Sequence, residues 1–383
     1  MSGGVDSAVA AALAVEAGHE VTGVHMALLR NRALFREGSR GCCSIEDALD
    51  ARRVADKLGI PFYVWDLSAE FADLVVADFL AEYAAGRTPN PCIRCNEHVK
   101  FNVLAQRAEA LGFDAIATGH YARLNARQEH SAGNTAHSAA NPIDITQTVI
   151  SAFSPSAIEL HRARNLAKDQ SYVLAVAGPD RLQHAYFPLG DFETKQEVRA
   201  AASARNLPVS SKPDSYDICF IADGDTRGFL RDRLGIQPGI IQDLDGTQVG
   251  VHDGAYQFTV GQRKGLALGN PAPDGEPRYV VRTDPLNNIV TVGKKADLIV
   301  SSIKGVDPVW YFDIGSLQSS AIPVTIQVRA HGREVPAWLE TQHDGTVRFD
   351  LRNDVLKGIA AGQSVVAYQG TRVVAQATVA YAK

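Results

Sequence analysis

Three cysteines carry the residue type best suited to covalent chemistry in this chain. Cys92 and Cys95 form a C-x-x-C pair in Thr88-Pro89-Asn90-Pro91-Cys92-Ile93-Arg94-Cys95-Asn96, and Cys219 lies in Asp214-Ser215-Tyr216-Asp217-Ile218-Cys219-Phe220. The two prolines hold the approach extended. Cys95 is expected at or just before the first turn of a helix over 96–111, where the dipole and Arg94 favour the attacking thiolate. C-x-x-C is also half of a zinc knuckle, but no second C-x-x-C or H-x-x-x-H supplies two more ligands. Cys219 alone reads as a buried thiol in an apolar strand. It gains chemical meaning only if it meets Cys95 in space. Cys42 and Cys43 read as structural, because adjacent residues rarely chelate one ion well.

A second kind of chemistry is offered by Ser2-Gly3-Gly4-Val5-Asp6-Ser7, followed by an alanine-rich run from Ala8 to Ala17. Paired glycines let the backbone close around an anion, two hydroxyls add donors, and the helix that follows presents its positive end. That is a phosphate cradle, although it lacks the lysine and the four-residue spacer of G-x-x-x-x-G-K-[ST]. The string resembles the SGGxDS loop of the PP-loop ATP pyrophosphatases, which implies ATP binding and release of pyrophosphate as a substrate is adenylated.

Strands and helices must position these groups. Residues 20–26 read as a buried strand, and a helix capped by Ser44 shows Ile45, Ala48, Leu49, Ala55 and Leu58 as its apolar face. Residues 62–67 read as a compact apolar strand, 69–84 as a helix with Phe71, Leu74, Val75 and Phe79 on one side, and 113–118 as a further strand. Alternation of this kind predicts an α/β fold with a parallel sheet covered on both faces. The loop should follow a buried strand, yet Met1 abuts Ser2, so the expectation is a truncated or misassigned start. Two short strands flank a polar insertion at about 125–156, whose His130 and His137 lack ligand spacing. Thr194 and Glu197 form a capping box, and 208–213 reads as a linker. Residues 224–269 look turn-rich, and short alternating runs from Tyr279 onward predict a small closed β-barrel.

Composition sets the outer bounds. A chain of 383 residues has room for two to three domains. A net charge of −5 excludes a globally basic nucleic-acid binder but not a local basic surface. Five cysteines are too few and too unevenly spaced for a disulfide scaffold. No apolar run approaches the roughly 18 residues of a membrane span, and the amino end has no basic n-region. The expectation is a cytoplasmic protein with no membrane partner.

Six motifs occur in one order: SGGVDS at 2–7, GRTPNPCIRCN at 86–96, ATGHYAR at 117–123, KDQSY at 168–172, DSYDICF at 214–220 and FTVGQRKGL at 258–266. In these the chain resembles, over essentially its whole length, the tRNA-specific 2-thiouridylases (MnmA family). The resemblance implies a PP-loop (adenine nucleotide alpha hydrolase-like) catalytic domain at 1–207, a central domain with Cys219 at 208–280 and a tRNA-contacting β-barrel at 281–383. It implies ATP and Mg2+ as cofactors, with Ser2, Gly3, Gly4, Val5, Asp6, Ser7, Met26 and Gly119 at the nucleotide. The reaction implied is adenylation of C2 of the wobble uridine in tRNAs for Lys, Glu and Gln, then replacement of the activated oxygen by sulfur. Cys219 would carry a persulfide from a sulfur donor protein, Cys95 would be the nucleophile, and a transient Cys95–Cys219 disulfide would follow.

Asn90, Pro91 and Cys92 would border the flipped base, Lys168, Asp169 and Gln170 the anticodon loop, and Arg329 and Ala330 a second tRNA contact; Gln262, Arg263 and Lys264 are further RNA candidates. Some members carry an acid/base Asp where this chain has Cys92. That departure opens an alternative in which Cys92, Cys95 and Cys219 hold three irons of a [4Fe-4S] cluster. Two other readings compete: a PP-loop C–N ligase, which would need no cysteines, and an RNA-binding protein with a relic nucleotide site.

Overall fold

A computed structural model describes residues 1–29, 45–126, 158–214, 218–221, 224–266, 268, 274–312 and 321–383. Cys42, Cys43, Ser44, His130, His137, Ser215, Tyr216, Asp217 and most of the expected insertion lie outside the described residues.

The N-terminal part is α/β. The loop opens a helix at Val5–Glu16, one face of which buries Val5, Ala8, Val9 and Ala12 against Val54, Tyr121, Leu189, Val198 and Leu207. Two parallel pairs follow, β1 (Gly23–Ala27) with β2 (Phe62–Asp66), and β3 (Ile116–Ala117) with β6 (Ala185–Tyr186). Between β3 and β6 lies an antiparallel hairpin of β4 (Ala122–Ala126) and β5 (Ile158–Arg162).

Two local expectations need correction. The helix Ile45–Leu58 buries Asp47, Ala51, Val54 and Ala55, while Ile45 and Leu49 face outward at 56% and 47% exposure. Ala55 is buried and Leu58 packs against the cluster under the first helix, as expected, but Asp47 takes an inner position in place of Ile45 and Leu49 because Lys212 bonds its carboxylate at 2.7 Å. Strand β2 is likewise half open, with Tyr63 and Val64 more than half exposed. Among the described residues it pairs with β1 alone, so it behaves as a sheet edge.

The segment 208–213 is no slack linker. Val209 is buried with Leu207 in the cluster under the first helix, and Lys212 bonds Asp47 at 2.7 Å and Asp50 at 2.6 Å. The turn-rich stretch holds a helix, Thr226–Leu234, and two strands, β7 (Gly239–Gln242) and β8 (Gln248–His252). These form a four-stranded sheet of order β8-β7-β10-β9 with β9 (Tyr279–Asp284) and β10 (Ile289–Gly293). The runs at 279–282 and 289–292 therefore join this central sheet, because β10 pairs parallel with β7. A division at 280/281 falls inside β9.

A short antiparallel pair, β11 (Ile299–Val300) with β16 (Leu356–Lys357), leads into the barrel. It is built from β12 (Ser302–Trp310), β13 (Ile322–Gln327), β14 (Val335–Thr341), β15 (Val347–Leu351), β17 (Ser364–Gln369) and β18 (Arg372–Ala382). It closes because β12 pairs with both β15 and β18. Alternating Val, Ile and Ala fill its interior, among them Ile303, Ile326, Val335, Val365 and Ala377. The β4–β5 hairpin attaches to β18 through Arg372 and His161, so one sheet runs from the nucleotide domain into the barrel.

Candidate active site

The phosphate loop is shaped by hydroxyls and by close backbone approach. Ser7 Oγ donates to the Gly4 carbonyl at 3.1 Å, and Ser2 N donates to Ser7 Oγ at 3.1 Å. Gly3 has φ +75°, and a Cβ there would lie 2.3 Å from the Asp47 carbonyl oxygen. A Cβ on Gly119 would lie 2.7 Å from Asp6 and 2.8 Å from Ser7 N, so this glycine from the ATGHYAR motif abuts the loop. Gly119 meets the loop just past β3, and Met26 lies near the carboxyl end of β1; open α/β sheets bind ligands at such strand ends.

Asp6 is the polar centre of this corner. Tyr121 donates its hydroxyl to Asp6 Oδ1 at 2.7 Å, and Lys195 Nζ donates to both carboxylate oxygens at 2.6 and 2.7 Å. The same Nζ lies 3.0 Å from Asp214, which also takes Lys168 at 2.9 Å and Arg199 at 3.0 Å. Burial pushes the Asp214 carboxyl up, but the Lys168 and Lys195 bonds outweigh it and hold the group below the usual carboxylate range. Burial, then the charge of Asp6, push the Tyr121 phenol well above its ordinary value. Next to it, His120 is held well below the usual imidazole range, first by burial and then by Lys100, 3.5 Å away.

Lys195, Arg199 and His120 were not foreseen individually. The one signal for a lysine was negative: the loop has none of its own. Lys195 follows Thr194, which caps the helix Lys195–Ala204 by accepting from Glu197 N at 3.1 Å. Of the expected box only this half forms, because the Glu197 carboxylate accepts from Glu193 N at 3.0 Å instead.

The cysteine site differs from its sequence expectation. The helix begins earlier, at Pro91, with Asn90 as N-cap accepting from Cys92 N at 3.0 Å. Cys92 therefore occupies the exposed first turn, and Cys95 lies one turn further in, buried, where the helix widens to π geometry over Cys95–Leu104. The position expected for Cys95 belongs to Cys92. Arg94 turns to Asp78 at 3.3 Å and Glu97 at 2.9 Å. Proline stiffness is not the only constraint on the approach. Thr88 N donates to the Ala361 carbonyl at 2.8 Å, its hydroxyl meets Thr259 at 3.2 Å, and Thr283 donates to the Gly86 carbonyl at 3.3 Å. The barrel and the central sheet both hold this loop.

Cys95 and Cys219 share one apolar cluster with Phe71, Val75, Phe79, Val99, Phe220 and Ile221, and Met26 packs against it. Phe220 stands edge-on to Phe71 and Phe79 at centroid distances of 5.8 and 5.2 Å. Cys219, half-buried, packs against the cluster that buries Cys95, so both thiols border one apolar core. A cluster site on the cysteines is a different matter. Cys92 is exposed while Cys95 is buried, and among the described residues no three His, Cys, Asp or Glu are grouped to hold a metal ion. Cys92, Cys95 and Cys219 in this arrangement do not fit a [4Fe-4S] centre.

The expected RNA contacts divide. Asp169 is buried and spent internally, accepting from Arg162 at 3.0 Å, Ala163 N at 2.9 Å and the Ser171 hydroxyl at 2.7 Å. Gln170 accepts from Tyr121 N at 2.9 Å. Lys168 reaches Asp214, and Gln262 folds back on Thr259 and Lys264. Arg263, Lys264 and Arg329 are exposed, with Arg329 also donating to the Gly358 carbonyl at 2.6 Å. No helix among the described residues is long and apolar enough to cross a membrane.

Fold and site together define an α/β nucleotide-binding domain followed by two β-domains. A tRNA methyl transferase HUP domain model matches residues 1–223, a tRNA methyl transferase PRC-barrel domain 227–294, and an aminomethyltransferase β-barrel domain 300–379. The chain is 60% identical to the tRNA-specific 2-thiouridylase MnmA of Beutenbergia cavernae, covering 99% of this chain and 93% of that one. It is 53% identical to the Acidothermus cellulolyticus protein of the same name, covering 99% and 96%. The chain belongs to the tRNA-specific 2-thiouridylase MnmA family.

Proposed function

We propose that this protein is an ATP-dependent tRNA-uridine 2-sulfurtransferase acting on the wobble uridine of tRNAs for Lys, Glu and Gln. The observation that carries the reading is the convergence of Cys95 and Cys219, distant in sequence, on one apolar cluster beside Met26.

The chemistry follows from the bonds to be exchanged. The O2 of uracil is a poor leaving group, so it attacks the α-phosphorus of ATP, pyrophosphate departs, and the oxygen becomes part of AMP. ATP lies on Ser2–Ser7 with its phosphates at the helix start, and Mg2+ arrives with them as part of the substrate. A sulfur donor protein loads Cys219 as a persulfide. Its terminal sulfur forms the new bond to C2, either directly, with the Cys95 thiolate then attacking Cys219 Sγ to break the S–S bond of the adduct, or as sulfide freed when that attack comes first, and AMP leaves with the C2–O bond pair. In both routes the sulfane sulfur is reduced by two electrons while two thiols become the Cys95–Cys219 disulfide. An external dithiol reductant then restores the pair.

A dry cluster suits this step, since water competing for the activated carbon would regenerate uridine. The reacting carbon is stacked in the anticodon loop, so the base is extruded to reach the site bordered by Asn90, Pro91 and Cys92. Arg263, Lys264 and Arg329 offer exposed cations for phosphates despite the negative net charge. We assign Asp169 and Gln170 a role in shaping this surface from within.

The test is incubation with ATP, a persulfide source and unthiolated tRNA. 2-Thiouridine and AMP should form in equal amounts. AMP without thiolated nucleoside would leave an adenylating ligase as the better reading, and tRNA binding without AMP would leave an RNA-binding protein.

A further inference from the structure

The phosphate loop lacks the lysine that Walker loops carry between their glycines and hydroxyl. We propose that Lys195, from the helix Lys195–Ala204, supplies that missing cation and binds the departing phosphates of ATP, a refinement that rests on the ATP-dependent reading above.

Three observations point this way. Lys195 Nζ already lies at the loop, 2.6 and 2.7 Å from the two oxygens of Asp6 in the first turn of the helix Val5–Glu16. Its side chain is 13% exposed, so it stands at the edge of the corner and is not locked inside it. Both its carboxylate partners keep other donors when it turns away: Asp6 keeps the Tyr121 hydroxyl, and Asp214 keeps Lys168 and Arg199. Moving the ammonium onto a phosphate therefore strands no bare buried charge, which is the usual obstacle to breaking such a pair. Counting Lys168, Lys195 and Arg199 against Asp6 and Asp214, the group carries one net positive charge beside the loop. A polyphosphate would neutralise it. A lysine suits the task because a compact, three-donor ammonium can follow phosphates from bound ATP to leaving pyrophosphate.

Binding of ATP by the full chain, measured by equilibrium dialysis without tRNA, gives the test. Lys195→Met should weaken ATP binding at least about tenfold, equivalent to about 1.4 kcal/mol, while affinity for tRNA is kept. Lys195→Arg should stay within about threefold of the wild type because the charge remains. An unchanged ATP dissociation constant in Lys195→Met would overturn the proposal. A second measurement needs no variant: an acyl-phosphate derivative of ATP, which acylates lysines beside the bound phosphates, should label Lys195 in the wild type, and excess ATP should suppress it. ATP-suppressed labelling at Lys168 or Lys100 with none at Lys195 would equally overturn it. Wild type that binds ATP through Lys195 yet makes no 2-thiouridine would instead sink the sulfurtransferase reading and leave this one standing.

Discussion

The two halves of the site solve opposite problems. Around Asp6 the protein concentrates charge, with three cations and two carboxylates within ion-pair reach of one another. Around Cys95 and Cys219 it removes polarity, surrounding sulfur with Phe71, Val75, Phe79 and Phe220. A phosphate group must be met by fixed positive charge, whereas an activated carbon awaiting sulfur must be kept from water. Met26 and Leu28, on either side of the last residue of β1, belong to the sulfur side.

That contrast predicts different failures on its two sides. Cys95→Ser or Cys219→Ser should lower 2-thiouridine formation by about a thousandfold or more, because a hydroxyl neither carries a persulfide nor forms the disulfide. ATP affinity should stay at wild-type level, and a parallel loss of ATP binding would break the comparison. Phe79→Ala opens a cavity in the sulfur-side cluster and should cost about 3–5 kcal/mol of stability, read by denaturant unfolding. Gly119→Ala attacks the other side by pushing a methyl group into Asp6 and Ser7. Overpacking of about 1–3 kcal/mol should appear as roughly 5- to 150-fold weaker ATP binding, with sulfur loading of Cys219 intact.

His120 gives a smaller, pH-dependent effect. Its folded pKa lies below its unfolded value, first through burial and then through Lys100, so the unfolded chain binds the extra proton. Stability from this group is complete above about pH 6.5 and falls as pH drops below it, by at most about 1.4 kcal/mol per pH unit. His120→Asn should flatten the acid side of a Tm-against-pH profile. Cys92→Ala should be mildest, lowering thiolation by about threefold through altered packing at the base, since the proposed relay runs through Cys95 and Cys219 and Cys92 is exposed. Loss comparable to Cys95→Ser would restore a chemical role for Cys92.

Short-range patterns were readable wherever one physical rule acted alone. The barrel shows this best: Val324, Ile326 and Val328, then Val347 and Phe349, then Val365 and Ala367, spaced two apart, face one interior on or just past β13, β15 and β17. Patterns failed where distant residues set the environment. Asp47 turns inward on its helix because Lys212 and the close approach of Gly3 await it, neither visible in the local periodicity. The stretch 224–269 hid β7, whose second partner β10 lies outside that stretch.

By itself the sequence determined the chemical inventory: an anion-binding loop opening a helix, a C-x-x-C pair, a third cysteine and a barrel of alternating strands, since residue type and spacing act locally. Only the tertiary structure decided which residues meet. It moved the helix start from Asn96 to Pro91, brought Cys219 to the Cys95 cluster, and set Lys195 against a loop that has no lysine. Each of these depends on burial and charge pairing between segments remote in the chain, and such energies arise only once the chain has folded.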